Sequence, residues 1–128
     1  NGDLMAIKKS GTGSKSTEVH VLTAASGYKK FGLQTGTGQH ETDGRFEFAA
    51  LPNGDLMVIK RSGTGSKSTE VHVLTAASGY KKFRVNTGTG LPETDDTFAF
   101  GALDQDRLFA IKKTKTGSRT TEVHILGP

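Results

Sequence analysis

Residues 10–31 read SGTGSKSTEVHVLTAASGYKKF, and residues 62–83 repeat them letter for letter. An edited copy, TKTGSRTTEVHIL, follows at 114–126. Within this stretch TEVHVLT, at 17–23, is rich in β-branched residues and alternates. Val19 and Val21 fall on one face of a strand, and Glu18, His20 and Leu22 on the other. The fold is therefore all-β and repeated. Self-similarity at a fixed period marks units that cannot bury their apolar faces alone and rely on stacked neighbours.

The repetition extends outward. Asn1-Gly-Asp-Leu-Met returns as Asn53-Gly-Asp-Leu-Met, and Gln105-Asp-Arg-Leu-Phe takes the third place, an offset of 52 residues. The 128-residue chain reads as a single repeat domain with units 1–52 and 53–104 and a partial unit 105–128, about 2.5 repeats. Four strands are predicted per unit, at 4–9, 17–23, 28–34 and 46–50 in the first. Pro52-Asn53-Gly54-Asp55 predicts a type I′ hairpin joining FEFAAL to LMVIKR, because Asn-Gly supplies positive φ at both central positions at least cost. SGTGSKS reads as a flexible loop. Thr-Gly-Thr-Gly with His40-Glu41-Thr42-Asp43, or with Pro92-Glu93-Thr94-Asp95, reads as the longest connector, where binding residues tend to sit.

Four antiparallel strands per unit of this length is the arithmetic of a β-propeller blade, with a trefoil or small barrel as alternatives. Blades pack face to face, so their middle strands should be apolar on both sides. Leu4, Met5, Ala6 and Ile7 in succession, and Val19, Val21 and Leu22, meet that demand. With the complete blade placed at 46–88, the chain divides into three strands, four strands and three strands. Open edges at both ends predict completion by oligomerisation, a homo-oligomer in which two or more copies close a ring.

Composition narrows the function. There is no cysteine, hence no disulfide framework and no thiolate metal site. The net charge of +4 comes from lysines spread through every unit, a solvated surface and not the concentrated patch that nucleic-acid binding asks for. No apolar run approaches the length of a membrane span, so membrane insertion is not expected, and no leader pattern points to a compartment. Gly11-Thr-Gly-Ser-Lys15-Ser-Thr17 fails as a phosphate loop, since Ser14 precedes the lysine and a strand follows. No nucleophile, base and orienter stand together, so the chain is not read as an enzyme.

AIKKSGTGSKSTEVHVL, ASGYKKF and LQTGTGQHETDGRFEF resemble the repeat of the Psathyrella velutina lectin-like propellers, relatives of the integrin-type FG-GAP repeat. The likeness covers essentially the whole chain. It implies a carbohydrate-binding lectin that takes N-acetylglucosamine, and in some members sialylated glycans, near blade junctions. Family repeats often carry an Asp-rich calcium loop. Here that connection shrinks to 51–55 and 103–107, too tight to wrap a cation, so no metal or other cofactor is expected, Asp104 and Asp106 being the nearest to an exception.

Candidate ligand contacts follow the repeat. Tyr28 and Tyr80 offer rings for the apolar face of a sugar, or serve equally as edge packing. His40, Glu41, Thr42 and Asp43, and Glu93, Thr94 and Asp95, group acceptors for vicinal hydroxyls, or serve as turn chemistry. His20, His72 and His124 recur in Glu-Val-His; His72, on the complete unit, either packs within its strand or lines a junction site. The rival class is a structural or adhesion module, or a repeat scaffold with no ligand of its own.

Overall fold

The computed structural model describes residues 2–127, which form ten strands in three antiparallel sheets. β1 (Leu4–Lys8), β2 (Ser16–Leu22) and β3 (Phe31–His40) make the first sheet. β4 (Phe46–Ala50), β5 (Leu56–Lys60), β6 (Ser68–Leu74) and β7 (Phe83–Pro92) make the second, and β8 (Phe98–Ala102), β9 (Leu108–Lys112) and β10 (Glu122–Leu126) the third. Each sheet pairs its strands in chain order, the meander expected of short hairpin connections. The division into three, four and three strands is the one the repeat predicts. Among the described residues no helix is long and apolar enough to cross a membrane.

Three local expectations are corrected. The third strand of each unit begins at Phe31 or Phe83, not at the tyrosine. A 3-10 turn over Ala24–Ser26 ends in Gly27 (φ 66°) and Tyr28 (φ 64°), both left-handed, and this pair reverses the chain before the strand can start. At its other end the strand absorbs the Thr-Gly-Thr-Gly that reads as a connector, running on to His40 or Pro92. Thr37 anchors this run, its hydroxyl donating to the Thr17 carbonyl at 2.6 Å. The hairpin between β4 and β5 is not type I′ either. Gly54 N–H donates to Leu51 C=O (2.9 Å), Leu51 N–H donates to Asp55 C=O (2.8 Å), and only Gly54 (φ 93°) has positive φ. Pro52 and Asn53 thus occupy the centre of a type I turn, and Gly54 supplies the bulge residue that restores strand twist.

The second sheet is covered on both faces. Along β5, Leu56 and Val58 point to one side, and Met57 and Ile59 to the other; all four are buried. Leu56, Val58, Leu74, Phe46 and Tyr80 cluster with Val19 of the first sheet. Met57, Ile59, Val71 and Val73 cluster with Leu108 and Ala110 of the third. A fully buried aliphatic side chain is worth about 1.5–3 kcal/mol, so these two seams carry most of the apolar stabilisation.

Candidate binding sites on the sheets

Four residues before each Glu-Val-His strand motif's glutamate lies a serine, and the loop between folds it back onto that glutamate. Ser14, Ser66 and Ser118 donate to Glu18 (2.7 Å), Glu70 (2.8 Å) and Glu122 (2.7 Å). The turn that allows this places Lys15, Lys67 and Arg119 at φ of 60° in all three copies. The alternation of the strand sets the histidine two residues on beside the same carboxylate. His20, His72 and His124 stand at 3.0, 3.1 and 3.2 Å from Glu18, Glu70 and Glu122. His20 and His72 also meet the edges of Phe31 and Phe83 at right angles.

The carboxylate and imidazole of each cluster are partly buried, and the serine is exposed. The serine hydroxyl first, with the histidine in support, holds Glu18 and Glu122 below the usual carboxylate range. Glu70 is lowered in the same way, the Ser66 bond outweighing its partial burial. A carboxylate has about four acceptor positions, so one serine and one histidine leave room for further donors. Because the glutamate sits between serine and histidine, the imidazole does not face the hydroxyl, and no nucleophile–base pair is assembled. An anionic acceptor, an imidazole, a hydroxyl and, in two copies, an aromatic edge are thus grouped in one place on each sheet.

The other sequence-derived candidates are spent largely on hydrogen bonds that hold the fold. Glu41 accepts from Thr12 N–H (3.0 Å) and its hydroxyl (3.2 Å), and Glu93 does the same with Thr64 (2.9 and 3.2 Å). The backbone donor is the leading cause of the lowered pKa of both. Thr42 and Thr94 are buried and share 3.0 Å bonds with Thr17 and Thr69. Asp43 caps the Arg45 turn, and Asp95 caps Thr97. His40 is exposed at the end of β3, its carbonyl taken by Thr17.

The tyrosines are not brought to these acceptors within a unit. Tyr28 and Glu41 flank the two ends of β3, and Tyr80 and Glu93 the two ends of β7, separations on the order of 25 Å and far beyond one sugar ring. Tyr80 is itself 6% exposed, with its hydroxyl on the Gly54 carbonyl (2.7 Å), whereas Tyr28 is 48% exposed. The sequence singles out His72 but not its serine partner, for which the Ser-x-x-x-Glu-x-His spacing, present three times, is the available signal.

A cavity of about 400 Å³ opens between the second and third sheets, with Met57, Val85 and Leu108 among its apolar walls and Arg84 and Asp106 at its rim. Arg84, a glycine in the first unit, donates to Asp55 (2.9 Å) and to the Gln105 carbonyl (3.0 Å), bridging the seam. None of the ten sequence-derived candidates lines this cavity. At the first seam the corresponding ground is held by the chain itself, through Tyr80 and Lys81. No protein-family profile, curated protein or solved structure matches the chain.

Proposed function

We propose that the chain is a non-enzymatic carbohydrate-binding module of blade-like sheets, taking N-acetylglucosamine-type glycans at the repeated Ser–Glu–His clusters. The observation that carries this reading is the same arrangement of partly buried carboxylate and imidazole with an exposed hydroxyl on all three sheets, bonded alike each time. Resemblance to the lectin-like propeller repeat supports the ligand class. Glutamate accepts sugar hydroxyls, histidine and serine fix orientation, and Phe31 or Phe83 borders the ring. Single sites of this shallow kind are weak, and several engaged together on a glycan-coated surface give avidity without new contacts.

A glycan array followed by calorimetry with N-acetylglucosamine tests the proposal. Binding that falls at least tenfold in Glu70→Gln and His72→Ala, measured with the other two clusters also altered, supports it. A blank array, or affinity indifferent to all three clusters, favours the structural scaffold.

A further inference from the structure

Five large hydrophobic side chains stand exposed among the described residues: Leu4, Tyr28, Phe31, Val123 and Ile125, each between 48% and 59%. They do not scatter. Leu4, Tyr28 and Phe31 lie on the outward face of the first sheet, and Val123 and Ile125 on the outward face of the third. Their counterparts one unit away show what such faces do. Leu56 (0%) and Tyr80 (6%) are buried against the first sheet, with Phe83 packed beside them. Val71 (7%) and Val73 (2%) are buried against the third.

Two seams inside the chain therefore follow one rule. The Val-x-Val face of one sheet meets the face of the next that carries the leucine opening its Leu-Met or Leu-Phe strand, as Val19 meets Leu56, with Tyr80 added at that seam, and as Val71 and Val73 meet Leu108. We infer that the Val123 and Ile125 face docks on the Leu4, Tyr28 and Phe31 face of a second copy of this chain, continuing the internal seam head to tail. Continuity identifies the occupant: the chain carries both halves of the contact, and their counterparts one unit away are already joined within it. Such a contact is heterologous, so one copy offers one face of each kind. Burial of apolar surface drives it, and it rests on the blade-like reading of the sheets; Phe31, beside His20, belongs both to this face and to the first sugar site.

The test uses complementary blockade. Val123→Asp with Ile125→Asp disables one face, and Leu4→Asp with Tyr28→Asp disables the other; aspartate tolerates the left-handed φ at 28 better than most residues. All four positions are exposed, and circular dichroism with thermal melting confirms that both variants fold. In light scattering at high micromolar concentration the unaltered chain is expected to assemble and each variant to remain a monomer. An equimolar mixture of the two variants is expected to form a dimer and stop there. A monomeric unaltered chain would leave the faces to further repeats or another partner and overturn the proposal, as would a mixture that stays monomeric. Each variant keeps all three Ser–Glu–His clusters, so loss of assembly with retained sugar binding separates this inference from the functional one.

Discussion

The amide of Gly38 donates to the carbonyl of Tyr80 at 2.9 Å, and this bond joins the first sheet to the second. The left-handed pair Gly79–Tyr80 turns that carbonyl out of its own sheet, and the Tyr80 hydroxyl on Gly54 holds it there. A Cβ on residue 38 would collide with the Lys81 carbonyl, whereas a Cβ on its counterpart Gly90 meets nothing. Gly38→Ala is expected to cost about 1–3 kcal/mol, and Gly90→Ala less than about 0.5 kcal/mol, in parallel urea titrations. Equal costs would mean that the first seam is not held at this point.

The loop after β9 carries a lysine where the other units carry glycine. Lys115 (φ 58°) corresponds to Gly11 (φ 65°) and Gly63 (φ 67°). A left-handed lysine pays a steric penalty that glycine avoids, partly offset by glycine's greater freedom when unfolded. Lys115→Gly should therefore raise stability by about 0.5–1 kcal/mol, read as an increased melting temperature.

Asp55 is buried, which raises its pKa, yet bonds from Ala76 N–H (2.8 Å), Arg84 (2.9 Å) and Asn53 (3.1 Å) together outweigh burial and lower it. A folded pKa below the unfolded one adds stability that is fully present above the ordinary aspartate value of 3.8 and is lost as pH falls through the folded value. Asp55→Ala should cost about 2 kcal/mol at neutral pH and progressively less in acid. A cost that does not shrink on acidification would assign the effect to packing.

Thr69 and Thr94 share a buried bond of 3.0 Å, and Thr69 also reaches the Pro92 carbonyl at 3.0 Å. Thr69→Val strands the Thr94 hydroxyl and should cost about 1–3 kcal/mol. Thr69→Val with Thr94→Val should cost less than the sum of the single changes, because no orphan hydroxyl remains. An additive result would show that the two hydroxyls are not coupled.

Much of this was readable in the letters. Alternation in TEVHVLT placed Val19 and His20 on opposite faces, and the 52-residue offset gave the partition of strands. What escaped depended on partners distant in sequence. Glu41 looked available until the fold delivered Thr12, 29 residues away. Tyr28 and Tyr80 share their local sequence and their φ, yet one is exposed and the other buried, because only Tyr80 faces the Gly38 edge of another sheet. The serine of each cluster was hidden by a turn whose left-handed lysine or arginine no composition rule favours.

The arrangement of three equivalent sheets with the middle one enclosed is tested most directly by residue-resolved amide hydrogen exchange at low protein concentration. β2 and β6 have the same sequence, STEVHVL, so any difference between them reports their surroundings alone. The account predicts slower exchange throughout β5 and β6 than at the matching amides of β1 and β2, with β10 the fastest of the three Glu-Val-His strands. Equal protection of β2 and β6, or greater protection of β1 than of β5, would contradict it.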